Sequence, residues 1–262
     1  MKKLIAIFLA IITIFTIVCC TSCIPNDKTI LIDKKETKMI AHRGLSGIAI
    51  ENTADAFSLA GEHSYYGIEA DVRKTADGKF VICHDKTLER ISGIDIAVNE
   101  TTLDELLKIP LSIKNRRGNG KLCELGTYVS ICKSYNKHAV LELKSSYQLG
   151  EIQQIIDIVS SYNYLENTTF ISFDYTNISY VREILPNQSV QHLITKYDEE
   201  VVQQLIDNKI DVAISYEDLT KKHLKTFHNA GLKVNCWTVD NKQIAEYLAS
   251  LGVDFITTNI LE

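Results

Sequence analysis

Residues 139–173 read AVLELKSSYQLGEIQQIIDIVSSYNYLENTTFISF, and the alternation inside this stretch decides the fold. Residues 139–143 form a short apolar run of strand length. Ile152, Ile155, Ile156 and Val159 then recur at the spacing that lines one face of a helix. Residues 168–173 make a second strand-like run, rich in β-branched and aromatic side chains. A strand, a helix and a strand in that order imply a parallel pair, because returning to a parallel strand requires a crossover. The rhythm continues on both sides, with strands predicted at 39–41, 67–72, 190–194, 211–215, 233–239 and 254–257. Between them Val201, Val202, Leu205 and Ile206, and later Ile244, Tyr247, Leu248 and Leu251, repeat at helical spacing, and Gly231 and Gly252 supply helix stops. Eight such units in about 225 residues predict an α/β fold, a TIM (β/α)8 barrel of the usual size of roughly 250 residues. An open doubly wound sheet is the rival arrangement.

Residues 85–124 break the rhythm. They carry Gly93, Gly118 and Gly120, the basic run Lys114, Asn115, Arg116 and Arg117, and one short helical signal at 102–107. This reads as an insertion after the second strand, on the face where barrel loops shape an active-site mouth. At the other end, Lys2 and Lys3 precede an apolar run over 4–18, so residues 1–22 read as an export signal peptide. Thr21 and Ser22 place small residues before Cys23, a resemblance to the lipobox of bacterial lipoproteins that makes Cys23 the expected lipid anchor, with Cys20 as the alternative. Residues 23–37 then read as anchor and polar tether, and residues 38–262 as the barrel domain. The expected location is the bacterial cell-envelope membrane, with a secreted or periplasmic protein as the alternative. With 28 basic against 33 acidic residues the net charge is −5, and no dense basic block suits a nucleic-acid backbone, so no nucleic-acid partner is expected. Cys83, Cys123, Cys132 and Cys236 are scattered through apolar context and read as buried free thiols.

Ala41-His42-Arg43-Gly44 closes the first strand with an imidazole and a guanidinium, groups that are expensive to bury without purpose. In the second strand Glu69 and Asp71 point to one side while Ile68, Ala70 and Val72 point to the other. Two carboxylates facing one way repel unless a cation separates them, and oxygen donors select a hard divalent ion. After the turn at Ala76-Asp77-Gly78, the run 79–85 returns as a hairpin and delivers His84 close to the second strand. Glu142 adds a carboxylate if Leu141 and Leu143 face the helices, and Lys144 follows it.

Taken with Glu51-Asn52-Thr53, Thr75-x-Asp77-Gly78, Ser172-Phe173-Asp174 and Trp237-Thr238-Val239, these motifs closely resemble the glycerophosphodiester phosphodiesterase family from Met39 to the C-terminus. The resemblance implies a metal-dependent TIM-barrel hydrolase that cleaves glycerophosphodiesters to sn-glycerol 3-phosphate and an alcohol. It implies that Glu69, Asp71 and Glu142 hold Mg²⁺ or Ca²⁺ and that His42 and His84 are the acid/base pair. Arg43 would grip the phosphate, Lys144 would line the same substrate pocket, Trp237 would form an aromatic wall beside the substrate, and Glu51 would orient the site or support the metal. Ile50 stands where the family often has proline.

Two other functions share parts of this pattern. A phospholipase-D-like enzyme of the sphingomyelinase type would need an apolar mouth, whereas residues 85–124 look polar. A catalytically inactive surface binding lipoprotein would not need every polar site position kept. His63, His138, His192, His223 and His228 lack motif context and read as structural or surface groups, Tyr65 and Tyr66 read as packing, and Ser172 and Phe173 as possible ligand contacts at a strand end.

Overall fold

The computed structural model describes residues 28–117 and 120–262. The signal peptide, Cys20, Cys23 and the start of the tether lie outside the described residues, as does Gly118 of the insertion. In chain order the elements are β1 (Lys38–Ala41), α1 (Ala54–Glu62), β2 (Gly67–Lys74), β3 (Phe80–Ile82), α2 (Glu89–Ser92), α3 (Leu103–Leu106), β4 (Cys123–Glu124) and α4 (Leu125–Ser134). They continue with β5 (His138–Leu143), α5 (Leu149–Ser161), β6 (Thr168–Ser172), α6 (Tyr175–Ile184), β7 (Val190–Ile194) and α7 (Glu199–Asn208). The last are β8 (Asp211–Ser215), α8 (Lys221–Asn229), β9 (Val234–Trp237), α9 (Lys242–Leu251) and β10 (Phe255–Thr258).

β1, β2 and β5 to β10 pair in parallel, and the ring closes because β1 pairs with β2 on one side and with β10 on the other. Four residue pairs, from Lys38 with Phe255 to Ala41 with Thr258, make that last seam. This is a TIM barrel, and its closure excludes the open sheet. Each predicted strand is present, because every one alternates between a helix-facing and an inward set. Ile68, Ala70 and Val72 of β2 and Leu141 and Leu143 of β5 join the core under the helices. Ile40, Val140, Ile171, Leu193, Ala213 and Phe255 fill the barrel interior. Of the helical faces, Ile152, Ile155, Ile156 and Val159 of α5 are all buried. On α9 the buried set is Ala245, Leu248 and Ala249, and Tyr247 is 59% exposed. Ile244, Leu248 and Leu251 of the expected face pack against the core with Ala245, and only Tyr247 turns outward.

β3 and β4 add antiparallel to the outer side of β2. The β2–β3 hairpin turns on Gly78 at φ +74°, with Thr75 Oγ1 donating to Asp77 Oδ1 at 2.6 Å. The insertion is more ordered than its polar composition suggests. It carries α2 and α3 and has a core of its own, in which Leu88, Ile91, Val98, Leu106, Leu111 and Leu122 pack with Ile50, Val81 and Cys83. Its basic run is tied down by Arg117, whose N–H donates to the Ile48 carbonyl at 2.9 Å. The four body cysteines are buried and free.

Much of the stretch expected as a tether is docked. Ile30 bridges Leu261 in parallel, the Ile32 N–H donates to the Glu262 carbonyl at 3.0 Å, and Thr29 Oγ1 donates to Glu262 Oε2 at 2.6 Å. These partners are more than two hundred residues away in sequence, so no local pattern reveals them. Among the described residues no helix is long and apolar enough to cross a membrane.

Candidate active site

The parallel registers assemble the site at the C-terminal end of the barrel, where such folds carry their chemistry. Asp71 of β2 lies directly beside Glu142 of β5, and both face inward. Ala41 of β1 lies beside Ile68, which sets His42 level with Glu69, and His42 Nε2 is 4.0 Å from Glu69 Oε2. Lys144 follows β5, and Trp237 ends β9. His84 arrives from outside the barrel, just after β3, and Arg73 fixes its carbonyl through Nε at 2.9 Å and Nη2 at 2.6 Å. One pocket is lined by His42, Arg43, Glu69, His84, Glu142 and Lys144 on its polar half and by Ile171, Phe173, Leu193 and Trp237 on its apolar half.

The turn after β1 is sharply constrained. Arg43 takes φ +55°, unusual for a residue with a side chain, and its N–H donates to Glu69 Oε2 at 2.8 Å. Gly44 follows at φ +75°, where a Cβ would stand 2.6 Å from the Ala56 carbonyl carbon, so the approach of α1 to this turn requires glycine. Thr53 caps α1, its hydroxyl accepting from the Ala56 N–H at 3.2 Å. Asn52, just before it, donates from Nδ2 to Asp71 Oδ2 at 2.7 Å.

Oxygens of Glu69, Asp71 and Glu142 lie within 4.8 Å of one another, and all three residues are buried. Glu69 Oε1 and Asp71 Oδ1 have no hydrogen-bond partner. Burial, with Asp71 and Glu142 adding to it, pushes the Glu69 carboxyl well above its ordinary range. Burial and then Asp71 raise Glu142 to about 7. Burial works in the same direction on Asp71, but Arg43, Lys144 and His84 outweigh it and bring Asp71 down to about 2. Lys144 Nζ is 2.9 Å from Glu142 Oε1 and 3.7 Å from Asp71 Oδ1. Three buried carboxylates, two of them with an orphaned oxygen, suit a hard divalent ion, because Arg43 and Lys144 supply two positive charges against three negative ones.

The histidines are held differently. Asn259 donates from Nδ2 to Asp240 Oδ2 at 2.5 Å, and its N–H donates to Asp240 Oδ1 at 2.7 Å. That orientation turns Asn259 Oδ1 towards His42 Nδ1 at 2.8 Å, so Nδ1 must carry the proton and Nε2 is left as a base facing the acids. Burial first and Arg43 second push His42 down to about 4. His84 Nδ1 instead meets the Asp85 carboxylate at 2.6 Å, though burial still lowers its pKa.

Glu51 is apart from the acidic trio: its Oε1 accepts from Arg43 Nη1 at 2.8 Å. Phe173 and Trp237 meet edge to face with centroids 5.5 Å apart, on the pocket wall. Ser172 is turned away, its hydroxyl donating to the Leu143 carbonyl at 2.9 Å. The histidines set aside from motif context do lie elsewhere: His138 stacks on Tyr66 at 5.2 Å, and His223 on Tyr197 at 3.9 Å. Arg73, Arg90, Asp240 and Asn259 surround the site without having been singled out, and Asn52 enters only as part of the Glu51-Asn52-Thr53 motif. Each works by bonding a site residue or, for Asp240, the Asn259 that holds His42, and such pairings have no periodicity to read.

A closed parallel barrel with all of this at its mouth is a TIM-barrel enzyme with a site suited to an anionic substrate. Residues 42–262 match the model of the glycerophosphoryl diester phosphodiesterase family, and the chain belongs to that family. A glycerophosphodiester phosphodiesterase of Caldanaerobacter subterraneus is 28% identical over 232 residues, 86% of this chain and 94% of the relative. A crystal structure of such an enzyme from Parabacteroides distasonis superposes with TM-score 0.72 at 28% identity, covering 88% of this chain and 94% of that one. A phosphodiesterase of Oleispira antarctica, solved in complex with the product sn-glycerol-3-phosphate, gives TM-score 0.75 at 23% identity over 85% of this chain and 92% of that one.

Proposed function

We propose that this enzyme hydrolyses glycerophosphodiesters to sn-glycerol 3-phosphate and an alcohol with a divalent cation, His42 and His84 serving as the acid/base pair. The observation that carries this reading is the pair of imidazoles lining one pocket with Glu69 and Glu142, two members of the buried trio that Asp71 completes. The trio would hold Mg²⁺ or Ca²⁺, which when bound withdraws charge from the phosphoryl oxygens. His42, with its unprotonated Nε2, takes the proton of the attacking hydroxyl, from water or from the substrate's own glycerol. His84, backed by Asp85, protonates the leaving alkoxide as its bond to phosphorus breaks. Attack by water gives glycerol 3-phosphate directly, whereas attack by the glycerol hydroxyl gives a cyclic phosphodiester that water opens in a second step, so either route consumes one water in all. Arg43 and Lys144 bind phosphoryl oxygens, Arg43 able to span two of them. Glu51 keeps Arg43 in place, and the Trp237 ring packs against the carbon chain of the substrate.

The decisive test incubates the chain with glycerophosphocholine, glycerophosphoethanolamine, glycerophosphoinositol and a lysolipid, with and without chelator. Glycerol 3-phosphate release that stops on chelation and returns with Mg²⁺ or Ca²⁺ is expected. Glu142→Gln should weaken metal binding measured by calorimetry, since one charge is lost at constant shape. Full activity in a preparation shown to be metal-free would overturn the metal assignment, and cleavage of the lysolipid alone would select the phospholipase-D-like reading.

We also propose that the chain is exported and held to the cell envelope by lipid on Cys23. The supporting features are the basic start, the apolar run and the small residues before that cysteine. Wild-type protein should partition into detergent and Cys23→Ala should not, with unchanged site chemistry; unaltered partitioning of the variant would refute the anchor.

A further inference from the structure

The insertion reaches the site through a side chain that belongs to neither the barrel nor the pocket wall. Arg90, on α2, donates from Nε to Asp85 Oδ2 at 2.7 Å. Its two terminal nitrogens donate as a fork to Glu51, Nη1 to Oε2 and Nη2 to Oε1, at 2.8 Å each. Both carboxylates already serve the pocket. Asp85 Oδ1 meets His84 Nδ1 at 2.6 Å, and Glu51 Oε1 accepts from Arg43 Nη1 at 2.8 Å. Arg90 is half exposed and is absent from the pocket lining.

We infer that Arg90 is a positioning residue: by tying together the carboxylates behind His84 and Arg43, it makes the insertion the frame that sets how imidazole and guanidinium meet the substrate. The inference rests on the function proposed above. A second observation supports it independently of the ion pairs. The small core of the insertion contains Ile50, Cys83 and Ile91, which are the chain neighbours of Glu51, His84 and Arg90, and these three are buried to 2% exposure or less. One packed cluster therefore fixes the backbone at all three corners of the polar frame. Packed clusters resist continuous deformation, and a planar guanidinium holds two carboxylates at fixed angles where an ammonium holds only a distance. Without Arg90, the Asp85 carboxylate would keep only its bond to His84, and that of Glu51 only its bond to Arg43.

The test uses the whole chain with two readouts. In steady-state kinetics on the best glycerophosphodiester, Arg90→Ala should lower kcat by about 10- to 100-fold with little change in KM, the scale expected when a reacting group is displaced by about 1 Å. Arg90→Lys, which keeps the charge and loses the fork, should recover only part of this. In a Glu51→Gln, Asp85→Asn background Arg90→Ala should have little further effect, because the groups it acts through are already neutralised. The second readout is the ¹H–¹⁵N imidazole spectrum of His84, in which Nδ1 should be protonated throughout in the wild type and partly unprotonated in Arg90→Ala.

A rise in KM at constant kcat would make Arg90 a substrate contact and overturn the proposal. So would wild-type kinetics in Arg90→Lys, full additivity in the triple variant, or an unchanged imidazole spectrum. If Arg90→Ala fails to fold, Arg90→Lys carries both measurements. If the wild-type chain cleaves no diester, the functional reading fails, and the imidazole spectra still decide whether Arg90 orients His84.

Discussion

His42 and His84 differ in what stands behind them, and that difference is where the chemistry is divided. The neutral amide of Asn259 accepts the Nδ1 proton of His42, and burial with Arg43 beside it keeps that ring neutral, whereas the Asp85 carboxylate favours a positive ring at His84 against the pull of burial. If the two flank one phosphate, replacing either with alanine should cut turnover by about 10² or more, and the wild-type pH profile should be bell-shaped. Metal and substrate binding should survive in both variants, because neither ring belongs to the acidic trio. His223→Ala, which removes a ring stacked on Tyr197, serves as the control and should change turnover little. Near wild-type turnover in both His42→Ala and His84→Ala would remove the acid/base assignment. At this scale the sequence was readable where a side chain's direction follows from strand alternation. Glu69, Asp71 and Glu142 all face inward because each alternates with apolar residues that face the helices. Asn259 and Arg90 were not readable, since the first acts across more than two hundred residues and the second across thirty-nine to reach Glu51.

Elements were legible in proportion to how local their causes are. The barrel strands declare themselves by short runs between helical faces, and α5 buries the four residues its periodicity singles out. The insertion resists this reading because beyond two single-turn helices its apolar residues, among them Val98, Leu111 and Leu122, follow neither a helical nor a strand period. They are spaced by turns, and their partners Val81 and Ile50 belong to other elements. Composition therefore suggested a polar loop where there is a packed cap. That cap has a mechanical consequence: β3 and β4 widen the sheet only at β2, so His84 is carried by an arm outside the barrel ring, braced between β2 and the insertion. The site is thus shared between a ring that fixes the acids and an arm that fixes one imidazole.

At the scale of the whole molecule, the barrel seam is backed by the two ends of the described chain. Leu261 is fully buried, Ile30 runs beside it, and Glu262 gathers bonds from Thr29 Oγ1, from the Ser64 N–H at 2.5 Å and from His63 Nδ1 at 2.7 Å. Burial opposes ionisation of Glu262, yet the bonds from Thr29, Ser64 and His63 prevail and bring its pKa from 4.5 down to about 2. A carboxyl whose pKa is lower in the folded state stabilises the fold above its unfolded value and loses that contribution as pH falls towards the folded one. The clamp should therefore be fully effective at pH 6 and weaken between about pH 4.5 and about 2. Amide hydrogen exchange at Ile30 and Ile32, which pair with this tail, should accelerate across that window sooner than exchange in β5, whose bonds lie on both sides within the barrel. Glu262→Gln keeps the shape and cannot ionise, so it should show faster exchange at pH 6 and a flatter response to acid. Equal acid sensitivity of Ile30 exchange in wild type and Glu262→Gln would mean that other carboxylates control the seam.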